Sequence, residues 1–337
     1  MKAYTTLGDG IEKLRRVERP VPEPKAGEVL VSIRAASLNY RDLLVVKGVG
    51  RWKPSEPRVP VSDGAGVVVS TGDSVTRWKV GDRVTGVFMP KWLDGELRAE
   101  KDSSPLGGAA ADGVLAEYVA FNEQALVRTP DGLSDAEAAT LPVAALTAWH
   151  AVARRSGVGK GDTVLIQGTG GVSLFALQFV GALGGRPLVI SSSDEKLEAA
   201  GRLGAWATVN YKRFPAWDEQ VLELTGGEGV NHVIEVAGGE NLNRSLNAVK
   251  LSGTISFIGL LAGMSAPINT FQFVAKNVRL HGIETGSREM FEEMNGFVEA
   301  HGLRPVIDRT FGFDEARAAF ARLESGKHFG KVVVEFK

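Results

Sequence analysis

The chain has 337 residues, enough for two domains, and its 44% hydrophobic and 23% charged residues are typical of a globular protein. A net charge of −1 gives no electrostatic reason to expect nucleic acid or a membrane surface as a partner, and no apolar run approaches the roughly 20 residues of a membrane span. The absence of cysteine excludes disulfides, thiolate nucleophiles and Cys-ligated metal sites. Because no apolar signal segment is visible, we expect a cytoplasmic protein.

Short β-rich runs separated by Pro and Gly fill the first 128 residues, for example 29–34, 66–70 and 83–88. Residues 90–112 have no periodicity and predict a surface loop. At Ser134 the pattern changes, because Ser134 and Glu137 have capping-box spacing ahead of a long apolar run. The first part of the chain is therefore predicted to be mainly β, with a helix following it.

Strands and helices then alternate, which predicts a parallel sheet covered on both faces. From about residue 286 we expect a helix, a strand near 306–311, a helix from Asp314 and a last strand, and this tail is expected to return to the N-terminal domain. The predicted strands of the alternating part are 164–167, 187–191, 207–210, 231–236, 254–260 and 278–283.

A glycine-rich turn between the first of these strands and an apolar helix over 174–183 indicates a dinucleotide site. Gly168 makes the turn, and Gly170 and Gly171 let a pyrophosphate approach the backbone at the helix N-terminus. Thr169 and Val172 complete the candidate phosphate loop, and a serine stands where the third glycine of the motif is usual.

The end of the second strand bears on the choice of cofactor. Neutral Ser191 stands at the strand tip, where NAD-binding proteins usually place a carboxylate, and Ser192 and Lys196 follow it. Hydroxyls and an ammonium there favour the 2′-phosphate of NADP. Two alternatives remain: Ser192 and Glu195 form a helix cap, or Asp194 binds the ribose of NAD.

In sequence order, a series of motifs resembles the zinc-independent, quinone oxidoreductase-like branch of the medium-chain dehydrogenases/reductases. The resemblance spans nearly the full length and implies a GroES-like, mainly-β catalytic domain over 1–128 and 286–337. A Rossmann domain with a doubly wound parallel sheet would occupy 129–285. The motifs lie at 37–42, 60–66, 80–84, 141–149, 168–171, 204–211 and 325–331.

The resemblance also implies that no metal is bound. The positions that hold catalytic zinc in metal-dependent relatives fall on Asn39, Ser62 and about Val143, and zinc prefers thiolate, imidazole or carboxylate ligands. The lobe that binds structural zinc in those relatives corresponds to residues 90–112, which lack cysteine.

The resemblance implies catalytic roles for Asn39, Tyr40 and Asp42. Asn39 would hydrogen-bond the nicotinamide ribose or the substrate, Tyr40 would donate a proton to a forming enolate, and Asp42 would orient its neighbours. Alternatively, Tyr40 is a packed aromatic residue and solvent supplies the proton. Further cofactor contacts are implied for Thr147, Tyr211, Ile258, Gly259 and Lys331. Helix packing remains an equal alternative for Thr147, as does a strand-flanking charge for Lys331.

The sequence therefore predicts an NADPH-dependent enzyme that passes hydride to a quinone or an α,β-unsaturated carbonyl. Alcohol or aldehyde dehydrogenation, and non-catalytic nucleotide binding on the same fold, remain alternatives. The predicted strand 278–283 is expected at the edge of the sheet, where pairing across a two-fold axis would form a homodimer. His150, inside an apolar helix, is expected to be a core residue.

Overall fold

The computed structural model describes residues 1–102 and 104–336 and contains two compact units. The first unit combines Met1–Leu146 with the segment from Thr285 onward, and the second is Thr147–Glu284. The chain passes from the first to the second within one helical segment, in which α-helical Leu146–Trp149 is flanked by π-helical turns at Leu141–Ala145 and His150–Arg155.

The regular elements follow one another along the chain in three stretches. Residues 1–146 hold Lys2–Thr5 (β1), Arg15–Glu18 (β2), Glu28–Leu38 (β3), Tyr40–Lys47 (α1), Asp63–Thr71 (β4), Arg83–Gly86 (β5), Tyr118–Asn122 (β6), Leu126–Arg128 (β7) and Asp135–Ala138 (α2), followed by Leu146–Trp149 (α3). Residues 150–284 hold Thr163–Gln167 (β8), Gly171–Ala182 (α4), Arg186–Ser191 (β9), Asp194–Arg202 (α5), Ala207–Asn210 (β10), Trp217–Leu224 (α6), Val230–Glu235 (β11), Asn241–Ala248 (α7), Val249–Phe257 (β12), Thr270–Lys276 (α8) and Arg279–Gly282 (β13). The tail holds Arg288–His301 (α9), Ile307–Gly312 (β14), Ala316–Glu324 (α10) and Lys331–Glu335 (β15).

The main sheet of the first unit has the order β14-β15-β3-β4-β5-β7, with β6 paired to β3. The strands pair antiparallel except β14 and β15, which run parallel. The long strand β3 is central because its alternate residues are apolar and buried, including Val29, Val31 and Ile33. Since β15 pairs with β3, the C-terminal tail returns to the N-terminal part, as the sequence predicts.

Residues beyond 128 still belong to the first unit. Ser134 caps α2 and exchanges hydrogen bonds with Glu137, which confirms the predicted capping box. The small residues Ala136, Ala138 and Ala139 pack against Ala35 and Ala65 of the sheet. The first compact unit therefore extends to Leu146, beyond the predicted domain boundary at 128/129.

The second unit is a parallel sheet of order β10-β9-β8-β11-β12-β13 with helices in the connections. Strand β8 is buried along its whole length, as expected for the centre of a doubly wound sheet. The chain order reverses between β8 and β11, which are paired through His232, Val233 and Ile234. Ligands of such sheets bind beyond the carboxyl ends of the strands at this point.

The structure confirms each strand predicted in this unit, and the largest shift is in β12. That strand begins at Val249 rather than 254, although polar residues interrupt its apolar pattern. The strand starts earlier because Val249 pairs with Val230 of β11. The register of this pairing shifts between Val230 and His232. β13 lies at the predicted edge of the sheet, and His150 is 3% exposed, in agreement with a core position.

The described residues of 90–112 form neither helix nor strand, in agreement with the loop prediction, while Ser103 lies outside the described residues. Trp92 anchors this loop, since it is 2% exposed and donates from Nε1 to Gly95 O at 2.9 Å. In the part of the chain that the structure describes, no helix combines the length and apolar character needed to cross a membrane.

Candidate active site

The loop between β8 and α4 has the geometry of a phosphate-binding turn. Gly168 has φ +74°, and its N–H donates to Ile190 O at 2.7 Å, which ties the turn to β9. Gly170 precedes α4, and a Cβ atom added to it would have no neighbour within 4 Å. No side chain caps α4, which begins at Gly171 and continues through Val172. The first N–H groups of this helix can therefore donate hydrogen bonds to a phosphate.

The serine in place of the third glycine points inward. Ser173 is 3% exposed, and its hydroxyl donates to Gln167 O at 2.7 Å. This bond binds the end of β8 to the first turn of α4 and keeps the side chain off the outer face of the loop. Thr169 is also buried, at 5% exposure. Ser173 therefore adds no side chain to the outer face of the loop.

The end of β9 and the start of α5 differ from the prediction in one respect. The cap of α5 is Ser193, whose Oγ accepts from Lys196 N at 3.4 Å, so the predicted cap of Ser192 with Glu195 is wrong by one residue. The reason is that the helix begins at Asp194, which leaves Ser192 in the preceding turn. Ser191 is 4% exposed at the strand tip.

Tyr211 lies beside this strand tip, since its N–H donates to Ser191 O at 3.1 Å and its side chain is 39% exposed. Asp194, the alternative ribose ligand, is engaged elsewhere: Asn210 Nδ2 donates to its Oδ1 at 2.8 Å, and Arg213 binds its Oδ2. The sequence analysis missed Arg213. The available signal was a basic pair, 212 and 213, directly after Tyr211.

The ends of β11 and β12 approach each other closely. The N–H groups of Ile258 and Gly259 both point to Glu235 O, at 2.8 and 3.2 Å. A Cβ on Gly259 would lie 1.9 Å from Val236 O, so only glycine fits there. Thr147 is buried and its hydroxyl donates to Glu284 O at 3.4 Å.

In the first unit, Asn39, Ser62, Asp63 and Lys331 form a buried polar cluster, which we call the lysine cluster. The Lys331 ammonium donates to Leu38 O at 2.8 Å and to Asn39 Oδ1, and lies 3.9 Å from Asp63 Oδ2. Asn39 Nδ2 donates to Ser62 Oγ at 3.4 Å, and Ser62 Oγ donates to Asp63 Oδ1 at 2.7 Å. An ammonium only donates, so it fixes the Asn39 amide with its oxygen toward Lys331.

Helix α1 starts beside this cluster. Asp42 is fully buried and its Oδ2 accepts from Asn39 N at 2.8 Å, which places it as an orienting residue. Arg41 reaches Asp42 Oδ1 at 2.9 Å and also donates to the carbonyls of Leu106 and Gly107. Tyr40 is 48% exposed, so it is not a packed core aromatic residue.

Burial is the main cause of the pKa shifts of Asp42, Asp63 and Lys331. It raises the pKa of Asp42 to about 6, although the Arg41 guanidinium opposes the shift. Burial likewise raises the pKa of Asp63 and lowers that of Lys331, and the attraction between the two charges opposes both changes.

Two known domain families match the sequence. The alcohol dehydrogenase GroES-like domain matches residues 25–131, and the zinc-binding dehydrogenase domain matches residues 171–300. A zinc-type alcohol dehydrogenase-like protein of Schizosaccharomyces pombe is 42% identical over 333 residues, which cover 97% of this chain and 96% of that protein. The chain belongs to the medium-chain dehydrogenase/reductase superfamily.

Solved structures of this superfamily share the fold along the whole chain. A Sinorhizobium meliloti protein described as a candidate alcohol dehydrogenase has a TM-score of 0.93 at 43% identity, covering 99% of this chain and 98% of that one. A 2-octenoyl-CoA carboxylase reductase solved with NADP and 2-octenoyl-CoA has a TM-score of 0.88 at 26% identity, with coverage of 99% and 87%. The predicted fold class, a GroES-like domain with a Rossmann sheet, is confirmed.

Zinc, which one of the matching family names implies, does not fit the donors present in this medium-chain dehydrogenase/reductase. Asn39 and Ser62 offer an amide and a hydroxyl that already bind Lys331 and Asp63, and Val143 offers its N–H to Asp63 Oδ2 at 3.2 Å. Among residues 1–102 and 104–336, no group of three or more His, Cys, Asp or Glu side chains is arranged so that it could hold a metal ion. The Lys331 ammonium is the cation of this cluster.

The raised pKa of Asp42 predicts a pH dependence of stability. Its folded-state value of about 6 exceeds the ordinary 3.8, so the folded protein holds a proton that the unfolded chain releases first. This contribution to the free energy of unfolding is complete below the ordinary value and is lost as pH rises through about 6. In urea titrations across this window, Asp42→Asn should lose less stability with rising pH than the wild type. Equal slopes for the two proteins would contradict the assignment.

Proposed function

We propose that the chain is an NADP(H)-dependent oxidoreductase that adds hydride to a conjugated carbon of a quinone or an α,β-unsaturated carbonyl compound, without a catalytic metal. The observation that carries this proposal is the lysine cluster, where amide, hydroxyl and ammonium groups stand in place of metal ligands. A conjugated acceptor suits such a site, because the charge that forms on hydride addition spreads through the conjugated system and needs less stabilisation at the oxygen.

The cofactor proposal rests on charge at the end of β9. Ser191 offers no carboxylate, and the carboxylate of Asp194 is neutralised by Arg213 and held by Asn210. A 2′-phosphate would therefore meet hydroxyls and the cations Lys196 and Arg213 rather than a repelling charge. The related reductase solved with NADP and 2-octenoyl-CoA supports both the cofactor and a conjugated substrate.

The residues of the second unit would hold the cofactor, which supplies hydride when bound. The N–H groups at the start of α4 would bind the pyrophosphate, and the open space at Gly170 admits it. Tyr211 would flank the adenosine phosphate. Ile258 and Gly259 would present backbone to the nicotinamide side.

In the first unit, we propose that Tyr40 donates a hydrogen bond or proton to the substrate oxygen, since the residue is half-exposed rather than packed in the core. Asn39 would bind the substrate or the nicotinamide ribose through an amide whose orientation Lys331 fixes. Asp42 would orient Asn39 through the hydrogen bond to its N–H.

Oxidation of saturated alcohols is the second candidate, favoured by the names of the two most closely related proteins described above. Cofactor oxidation should be followed spectroscopically with NADPH and NADH, each against one quinone, one enone and one saturated aldehyde, with and without chelator. Chelator-insensitive turnover of quinone or enone, faster with NADPH, is expected. Turnover of the aldehyde alone would favour alcohol dehydrogenation, and cofactor binding without any turnover would favour a binding protein.

We also propose a homodimer formed through the edge strand β13. Leu280 on this strand is 42% exposed, and the adjacent α8 exposes Phe271 and Val274 at 71% and 81%. An unpaired strand edge beside exposed apolar side chains favours pairing with a second copy across a two-fold axis. Light scattering should give the mass of two chains, and the mass of one chain would contradict the proposal.

Arg213→Ala tests the cofactor proposal. Loss of the guanidinium removes a cation for the 2′-phosphate and also exposes the unneutralised charge of Asp194, so kcat/KM with NADPH should fall about tenfold or more. The value with NADH should change little. Arg202→Ala is the matched control, because Arg202 is an exposed residue of α5 that pairs with Glu198. Equal loss with both cofactors would contradict a phosphate role for Arg213.

A further inference from the structure

Glu235, the last residue of β11, is a fully buried carboxylate. Its Oε1 accepts from the N–H groups of Ala237 and Gly238, both at 2.9 Å. Its Oε2 accepts from Gln167 Nε2 at 2.8 Å and from the Ser245 hydroxyl. Asn241 Nδ2 lies 3.1 Å from both oxygens.

Within residues 1–102 and 104–336, no Lys, Arg or His forms an ion pair with Glu235. A buried charge without a counter-ion is costly, and here hydrogen-bond donors alone stabilise it. Two of these donors are backbone N–H groups of one short loop, residues 236–240. The carboxylate therefore fixes the shape of that loop, which is a task an apolar side chain could not perform.

Glu235 lies where three loops of the second unit meet. Gln167 ends β8 and Glu235 ends β11, the two strands between which the chain order reverses. Through Gln167, Glu235 is linked to the glycine loop, because Ser173 binds Gln167 O. Its own carbonyl accepts from Ile258 and Gly259, and Ala262 N donates to Ala237 O at 2.7 Å. One residue thus joins the three loops that follow β8, β11 and β12.

We propose that Glu235 is a positioning residue for the dinucleotide, holding loop 236–240 in the shape that accepts the nicotinamide half. This inference rests on the proposed cofactor. If the adenosine phosphate lies at Ser191, on the β9 side of the reversal, the other half of a dinucleotide lies over β11 and β12. Glu235 itself is buried beneath the loop and acts through the backbone of Ala237 and Gly238.

The test is Glu235→Gln, with NADPH and adenosine 2′,5′-bisphosphate as probes in calorimetric titrations. Glutamine keeps the size but turns an NH₂ group toward donors, so at least one buried donor loses its acceptor. NADPH should bind about tenfold more weakly. The bisphosphate, which spans only the adenosine half, should bind within about twofold of wild type, a selectivity that general loosening would not produce.

Asp218→Asn is the matched control, because Asp218 is a buried carboxylate of α6 whose hydrogen-bond partners, Arg244 and Asn247, lie on α7 rather than in these loops. It should leave the affinities for both probes unchanged. Ser245→Ala, which removes one donor to Glu235, is a milder second variant if Glu235→Gln does not fold, and a several-fold loss confined to NADPH is expected.

Unchanged NADPH binding in these variants, or equal weakening of both probes, would overturn the positioning role. Wild-type protein that binds neither probe would instead overturn the proposed cofactor, so the two failures are distinguishable. Wild-type binding of both probes with a loss confined to NADPH in Glu235→Gln would support the inference.

Discussion

Lys331→Met is expected to lower the free energy of unfolding by about 3–5 kcal/mol, because it leaves Asp63 buried without its counter-ion. The two side chains are 3% and 0% exposed, and their charged atoms lie 3.9 Å apart. Methionine keeps the aliphatic volume, so the loss reports charge and hydrogen bonding rather than a cavity. Without Lys331, Asp63 avoids being a buried unpaired charge only by taking up a proton. The loss of unfolding free energy should therefore grow as pH rises. Urea unfolding at several pH values measures both effects.

The double variant Lys331→Met with Asp63→Asn is the control for this prediction. Removing both charges avoids the unpaired buried carboxylate, so much of the stability lost in Lys331→Met should return. A coupling free energy near zero in the double-mutant cycle would show that the two groups do not interact. Lys331→Met as stable as the wild type would contradict the lysine cluster as described.

The parts of the fold that follow local rules could be predicted from the sequence. The Ser134–Glu137 capping box, the turn at Gly168 and the buried strand β8 each depend on residues close together in the chain. The same rules predicted the first and last residues of the helices and strands less accurately. Ser192 and Ser193 are equally good caps by residue type, and only the start of α5 at Asp194 selects between them.

The parts of the site that depend on tertiary contacts could not be derived in the same way. Lys331 binds Asn39 across 292 residues of sequence, and Glu235 binds Gln167 across 68. For Lys331 the sequence left open a cofactor contact or a strand-flanking charge, and it did not indicate the hydrogen bonds that the ammonium donates to Leu38 O and Asn39 Oδ1. A side chain's residue type shows what it can donate or accept, but the topology decides which partner it meets.

Arg213 shows what a local pattern leaves out. Asp194 alone at the end of β9 is compatible with NAD, because a carboxylate there binds ribose hydroxyls. In the fold, Arg213 from beyond β10 reaches the carboxylate and neutralises it. The charge near the end of β9 therefore depends on residues that follow two adjacent strands rather than on one strand tip.

Gly259→Ala should weaken NADPH binding by about tenfold or more, which corresponds to a loss of about 1.4 kcal/mol or more of binding free energy. The added Cβ would lie 1.9 Å from Val236 O and 2.6 Å from Val236 C. Both obstacles are backbone atoms, so neither can rotate away, and the loops after β11 and β12 must separate. Separation stretches the hydrogen bond from Ile258 N to Glu235 O, at 2.8 Å in the structure. Fluorescence titration of NADPH measures the loss.

Gly181→Ala is the matched control, because Gly181 lies within α4 and its Cβ would have no neighbour within 4 Å. This variant should bind NADPH normally and gain at most about 0.5–1 kcal/mol of stability, the value for alanine in a helix interior, because Gly181 lies in the last turn of α4. If Gly259→Ala bound NADPH as tightly as the wild type, the cofactor would not use the backbone of this loop. The contact of Ile258 and Gly259 with the nicotinamide half would then have to be abandoned, while the glycine loop and the proposed phosphate site would stand.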